Sequence, residues 1–205
     1  MMAIFTSKII LRGGGDPRPR GFTLLELMVT VSLLAFFALA AAKTFQTSNW
    51  LAHYRLKGAA RDLASNMQKA RMNAVKENRP WVIVFDLAAG TYQVWNSGLH
   101  SDWDATRPDN VLVETVRLAD YRSGIAYGFG SVAVGAAGEG IPAAVTFDSQ
   151  QAVFNQRGFQ ASPPVSNAGT VPFCYLTNDS GTVLAVGASL AGSIRIRTWG
   201  GGAWR

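Results

Sequence analysis

The chain has 205 residues, of which 48% are hydrophobic and 16% are charged, and its formal net charge is +6. This length allows one domain with an added anchor or tail, and the low charge content argues against long disordered charged stretches. Because Cys174 is the only cysteine, an intramolecular disulfide and a zinc site built from several cysteines are excluded. Cys174 lies in an apolar run, so we predict a buried and unreactive thiol.

Positive charge is concentrated at the start of the chain. Residues 1–21 contain four basic side chains and one acidic side chain, Asp16. Without them, the 19 basic and 13 acidic residues of the chain fall to 15 and 12, a formal charge of +3. The overall charge is therefore weak evidence for nucleic-acid binding.

Residues 22–42, with the sequence FTLLELMVTVSLLAFFALAAA, form an apolar run whose only charged residue is Glu26. A helix that crosses a bilayer needs about 20 apolar residues at a rise of about 1.5 Å per residue, and this run has that length. The basic flank before the run predicts that the N-terminus stays on the cytoplasmic side.

Three interpretations of this run compete. An ordinary secretory signal is suggested by Ala38-Leu39-Ala40, which resembles a small-residue cleavage site, but the run is longer than the apolar core of such signals. A plain membrane anchor explains the length but leaves Glu26 without a role, although a charge in a membrane helix is costly. A processing motif at the start of the run explains both features.

The string RGFTLLEL, at residues 20–27, resembles the processing site of type IV prepilins and pseudopilins. The resemblance implies that a prepilin peptidase removes residues 1–21 by cutting between Gly21 and Phe22, and that the same enzyme methylates the new amine of Phe22. A glycine before the cut lets the chain enter a protease cleft in an extended form.

Glu26 would be the fifth residue of the processed chain, and the resemblance implies a role for it in assembly. Its carboxylate can offset the new positive amine, on its own chain or on the next subunit. Because an unpaired buried charge costs far more than a matched pair, this pairing favours one axial register between subunits. The partners implied are the prepilin peptidase, other pilins or pseudopilins, and the inner membrane. The implied location is the inner membrane with the C-terminal domain in the periplasm, followed by a filament.

The helical pattern continues beyond the apolar run. Apolar residues recur at three- and four-residue steps from Leu56 to Ala74, as on one face of an amphipathic helix. Pro80 predicts the end of the helix, because the residue before a proline disfavours helical geometry. We therefore expect one long helix, with a transmembrane part at 22–42 and an amphipathic part at 43–79.

Residues 80–205 are predicted to form a β-rich globular domain. A β-hairpin is predicted from two strand-like segments, Trp81–Asp86 and residues 91–95, which are joined by a turn that ends at Gly90. The other predicted strands lie at 111–118, 143–147, 152–154, 183–186 and 193–198. The glycine-rich stretch 124–140 is predicted to be a flexible loop or a weak edge strand. The expected fold is α+β: a long N-terminal helix packed on antiparallel sheets, as a small sandwich.

Several later segments resemble the GspH/FimT group of minor pseudopilins. They are AVKENRP at residues 74–80, FNQRGF at 154–159 and SIRIR at 193–197. The resemblance implies a low-abundance structural subunit that starts or caps a filament. Both a type II secretion pseudopilus and a type IV pilus use this processing signal, so both remain open.

Catalytic and metal sites are not predicted. His53 and His100 are the only histidines, and the Gly-x-Ser-x-Gly elbow of a serine hydrolase is absent. Asp102, Asp104 and Asp109 lack the spacing of a calcium loop, so they indicate a solvated acidic loop. We expect no enzyme activity, no metal and no cofactor. A secreted enzyme with a misleading N-terminus is an alternative of another class.

The end of the chain is a candidate DNA-binding surface, which would make the protein a receptor for DNA uptake. Arginine can neutralise phosphates and tryptophan can stack on exposed bases. The candidate residues are Arg195, Arg197, Arg205, Trp199 and Trp204. The competing interpretation is an edge strand on which Ile194 and Ile196 face the core while Arg195 and Arg197 face water.

Overall fold

The structure is a computed structural model that describes residues 22–47, 50–138, 140, 143–166, 169–200 and 202–205. The chain divides into two compact units, Met1–Thr47 and Ser48–Arg205. The leader and Gly21 lie outside the described residues. The predicted continuity of the long helix falls on residues 48–49, which also lie outside them. The predicted domain boundaries at 21, 42 and 79 therefore stay predictions.

The described part of the first unit is the helix α1, Leu24–Thr47. Its window Leu24–Ala41 has a mean hydropathy of 2.3, and none of that window is buried. Two hydroxyl groups inside this apolar helix donate to its own backbone: Thr30 to the carbonyl of Leu27 at 2.9 Å, and Ser32 to that of Met28 at 2.7 Å. Such internal bonds keep polar groups satisfied where no water is present. By length and composition, α1 could cross a membrane.

The second unit begins with the helix α2, Trp50–Glu77. The predicted apolar face is confirmed, since its members are all buried: Leu56, Ala59, Ala60, Leu63, Met67, Ala70 and Ala74. The predicted end is confirmed as well. Asn78 adopts a left-handed φ of 52° directly after the helix, and the amide of Arg79 bonds to the carbonyl of Ala74 at 3.2 Å, as at many helix ends before a proline.

The strands of this unit form two antiparallel sheets. The strands are β1 Trp81–Asp86, β2 Thr91–Asn96, β3 Val111–Arg117, β4 Ala126–Tyr127, β5 Gln151–Phe154, β6 Phe173–Thr177, β7 Val183–Ala188, β8 Ile194–Gly200 and β9 Ala203–Trp204. The four-stranded sheet has the order β3-β2-β1-β5, and the five-stranded sheet has the order β4-β6-β7-β8-β9. The α+β class and the antiparallel sheets are confirmed.

One core joins α2 to the inner faces of both sheets. Ile83 and Phe85 reach it from the four-stranded sheet, and Cys174, Leu184 and Val186 reach it from the five-stranded sheet. A second group of buried residues, the outer cluster, lies on the opposite face of the five-stranded sheet. Its members are Val132, Ala136, Phe173, Tyr175, Val183 and Ala185. The five-stranded sheet is therefore covered on both faces.

The predicted strand at 143–147 is wrong as a regular strand. Val145 and Phe147 form only isolated bridges, to Cys174 and Pro164 respectively. Neighbouring residues on this segment pair with different parts of the chain, so a continuous ladder cannot form. By contrast, the predicted hairpin is β1–β2, and the glycine-rich stretch contributes the short edge strand β4, as expected.

Candidate functional site

The first candidate site is the start of α1. Phe22 and Thr23 precede the helix, and Glu26 lies in its first turn. The amide of Glu26 donates to the side-chain oxygen of Thr23 at 3.2 Å, so Thr23 caps the helix. The spacing Thr-x-x-Glu is that of a capping box, and a negative charge in the first turn suits the helix dipole. The capping role of Thr23 was not predicted from the sequence, although this spacing could have revealed it.

The carboxylate of Glu26 has no ion-pair partner among the described residues. It lies within about one helical turn of the position where processing would place a new amine. The arrangement therefore holds a fixed negative charge at the end of an exposed apolar helix, available to a positive group.

The second candidate site is the outer face of the five-stranded sheet at β8. In the register of β7 and β8, Arg195 lies opposite Gly187 and Arg197 lies opposite Ala185. Trp199 lies opposite Trp204 in the β8–β9 hairpin. Because alternate residues of a strand share a face, the structure brings together four of the five predicted residues: Arg195, Arg197, Trp199 and Trp204.

Arg205 does not join them. Its amide and carbonyl form two hydrogen bonds with Thr198, at 3.0 and 2.9 Å. Directly opposed residues point to the same side of a sheet, so Arg205 shares the face of Thr198 rather than that of Arg197. The three arginines therefore occupy two faces of the hairpin.

Most of the four clustered side chains already have structural contacts. Arg197 donates to the carbonyl of Ala136 at 2.7 Å, and the indole of Trp204 donates to the carbonyl of Val134 at 2.7 Å. The rings of Trp199 and Trp204 lie 5.4 Å apart and pack against the outer cluster. These contacts fasten the 129–137 loop to the sheet. Arg195 is exposed.

The expected alternation along β8 is correct only in part. Ile194 packs against the main core, whereas Ile196 is 38% exposed and Arg197 is partly buried. The core thus covers only the beginning of this strand.

Comparison with protein families gives two matches. Residues 17–42 match the prokaryotic N-terminal methylation motif. Residues 59–192, more than half of the chain, match the family described as type II transport protein GspH. The chain belongs to the GspH family. Searches of curated proteins and of solved structures gave no match.

This GspH protein is therefore a type IV pilin-like minor pseudopilin, as the resemblance implied. The methylation motif implies processing by a prepilin peptidase and assembly with other pilins or pseudopilins. The apolar helix α1 and this motif fit an anchor in the inner membrane. GspH proteins are structural subunits rather than enzymes.

The acidic side chains of the polar loop at residues 97–110 form their hydrogen bonds and ion pairs within the loop. Asp102 pairs with Arg107 at 2.8 Å, and this hydrogen bond lowers the pKa of Asp102. Asp109 contacts His100 at 2.8 Å. The amide and hydroxyl of Thr106 both donate to Asp104, which lowers its pKa. In the parts of the chain that the structure describes, no cluster of acidic, histidine and cysteine side chains could hold a metal ion.

Cys174 is fully buried on β6, an interior strand of the five-stranded sheet, which confirms its predicted burial. Burial raises the pKa of the thiol far above its usual range. Since the thiolate is the reactive form, this side chain is kept in its unreactive state.

Proposed function

We propose that this protein is a structural subunit of a type II secretion pseudopilus, acting at its initiation or at its tip, with a type IV pilus as the alternative filament. The observation that carries the proposal is Glu26, held in the first turn of the exposed apolar helix α1 and within the matched methylation motif. A helix with this apolar surface requires lipid or other helices around it. In a filament, neighbouring subunits would supply them.

The chemistry of assembly follows from one new charge. Cleavage after Gly21 would free the amine of Phe22, which is cationic below its pKa of about 8. In an apolar environment that cation needs an anion, and Glu26 is the charge that the first turn of α1 provides. If the ion pair joins two subunits, it fixes the axial position of one subunit relative to the other.

Processing is tested on protein extracted from membranes. We expect the mass of a chain that begins at Phe22 and carries one methyl group. Gly21→Val should leave the precursor uncut, because a branched side chain obstructs the extended conformation at the cut. Gly14→Val is the matched control in the same leader and should still be processed. A processed chain that begins near Ala41 or Lys43 would instead establish an ordinary secretory signal.

Assembly is tested with Glu26→Leu in cells that produce the other pseudopilins. We expect normal cleavage, since Glu26 lies beyond the cut, but loss of the subunit from sheared or cross-linked filaments. Glu77→Leu at the end of α2 is the matched control and should still be incorporated. Equal incorporation of Glu26→Leu and the parent chain would contradict the proposed role of the carboxylate.

DNA binding in uptake is a second candidate function. It is favoured by the four clustered residues on the outer face of β8, where exposed Arg195 could contact a phosphate. Mobility shift with random-sequence duplex should show binding that weakens steeply with salt. Arg195→Ala together with Arg197→Ala should reduce it, while Arg205→Ala on the other face should have a smaller effect. Absence of binding at low salt would remove this candidate.

A further inference from the structure

A cleft of about 410 Å³ lies between the four-stranded sheet and the polar loop at residues 97–110. Its floor includes a row across three strands, because Val84 of β1 lies opposite Gln93 of β2 and opposite Gln151 of β5. Two indole side chains, Trp95 and Trp103, line it as well. This volume is typical of sites for small molecules or for part of a larger one. Neither the methylation motif nor the candidate DNA surface includes these residues.

The two indoles are fixed by the two glutamines. The ring N–H of Trp95 donates to Oε1 of Gln93 at 3.0 Å, and the ring N–H of Trp103 donates to Oε1 of Gln151 at 2.7 Å. Each glutamine therefore uses its oxygen on an indole. The Nε2 donors of both amides keep no partner among the described residues. The result is a pair of positioned aromatic walls beside two unused N–H donor groups.

The cleft is electrically neutral. Arg107 is the one charged residue among those that line it, and both of its terminal nitrogens bind Asp102, at 3.0 and 2.8 Å. An anionic ligand would therefore meet a cation that is already paired. A cationic ligand would find no carboxylate among the lining residues. Charge complementarity thus favours an uncharged ligand.

Asn110 lines the cleft as well. Its Nδ2 group donates to the carbonyl of Asp104 at 2.7 Å, and its Oδ1 atom is buried from solvent. The polar groups open to a ligand are therefore the two glutamine donors. A purely apolar ligand would displace water from both donors without replacing its hydrogen bonds.

We propose that this cleft binds a neutral glycan through one or two of its sugar rings. A sugar hydroxyl both donates and accepts hydrogen bonds, so hydroxyls of one ring can accept from the free amide donors of Gln93 and Gln151. The C–H face of the same ring is apolar and can lie on the indole of Trp95 or Trp103. Uncharged hydroxyls together with a flat apolar face match every group that the cleft leaves free.

The test uses the full chain in a zwitterionic detergent that carries no sugar. Cellotetraose and chitotetraose are titrated by calorimetry and examined by saturation-transfer NMR. We expect binding of at least one of the two, with saturation transferred to the ring protons that lie on the indoles. Decaproline is titrated in parallel, because aromatic clefts with amides can also hold extended proline-rich peptides.

Gln93→Glu combined with Gln151→Glu is the decisive variant. Each carboxylate can still accept the indole N–H, so the walls of the cleft are retained, but both free donors are lost. We expect the affinity for the tetrasaccharide to fall by at least about tenfold. Gln68→Glu, the same change at an exposed position of α2, should leave the affinity unchanged. Trp95→Phe should weaken binding severalfold, whereas Trp50→Phe, at the exposed start of α2, should not.

Three outcomes would overturn the glycan site. The first is the absence of any signal with both sugars up to their solubility limit. The second is unchanged affinity in the double glutamate variant, if its circular dichroism matches the parent. The third is binding of decaproline in preference to the sugars, which would identify a peptide site.

Discussion

The helices α1 and α2 are similar in length but differ in what covers their apolar side chains. In α1 the window Leu24–Ala41 has no buried residue, whereas one whole face of α2 is buried under the two sheets. The first helix is apolar on every side and needs apolar surroundings. The second is amphipathic and finds them within its own unit. The distribution of apolar residues, and not helix length, separates an assembly element from a folding element.

Small residues explain how α2 packs so closely. The buried face contains five alanines, which let both sheets approach the helix backbone: Ala59, Ala60, Ala64, Ala70 and Ala74. Leu56, Leu63 and Met67 fill the space between them.

The sharpest test of this comparison is removal of α1. A chain that starts at Trp50 is expected to be soluble, monomeric and folded, because the core of the second unit, in the part of the chain that the structure describes, begins at Leu56. Circular dichroism should show both strand and helix, and size-exclusion chromatography should give a monomer. A truncated chain that stays unfolded at low concentration would show that α1 also stabilises the fold.

The next test compares one leucine from each helix in the full chain in detergent. Leu63→Ala removes a fully buried side chain of α2 and should lower the free energy of unfolding by about 2–5 kcal/mol. Leu33→Ala changes an exposed residue of α1 and should alter it by less than about 0.5 kcal/mol. Thermal or denaturant unfolding followed by near-UV circular dichroism measures both. A similar loss of unfolding free energy in the two variants would contradict the difference between the two helices.

The smallest expected effect on stability comes from a buried hydrogen bond between α2 and β2. Nδ2 of Asn66 donates to the hydroxyl of the buried Tyr92 at 3.1 Å. Burial raises the pKa of Tyr92 from 10 to about 12, so between these pH values the folded phenol keeps a proton that the unfolded phenol loses. The contribution of Tyr92 to stability should be fully present below pH 10 and should fall as the pH rises towards 12, by at most about 1.4 kcal/mol per pH unit.

Tyr92→Phe checks that assignment by urea unfolding at a series of pH values. The variant should lose about 1 kcal/mol near neutral pH, with its hydrogen bond, and show a shallower decline above pH 10. Burial also raises the pKa of Tyr121 and Tyr127, so part of the decline should remain. An alkaline slope identical to that of the parent chain would exclude Tyr92 as a source.

Features with a local cause were predictable from the sequence. The buried face of α2 follows from helical spacing, its end from Pro80, and the β1–β2 hairpin from alternation around a turn in which Gly90 has a φ of 63°. By contrast, β6 was not predicted. It is an interior strand of the five-stranded sheet, and its continuous apolar run has neither strand alternation nor helical spacing.

The sequence by itself determined the chemical character of the two helices and the motif around Phe22 and Glu26, because these depend on composition and on near neighbours along the chain. The tertiary structure alone decided which distant side chains meet. It placed Arg205 on the opposite face from Arg197, since the register of a hairpin assigns faces and a shift of one residue reverses them. It also brought Trp103 to Gln151, 48 positions away, and so formed the cleft. Such contacts depend on how the sheets pair and how the loops close over them, and no local pattern encodes either.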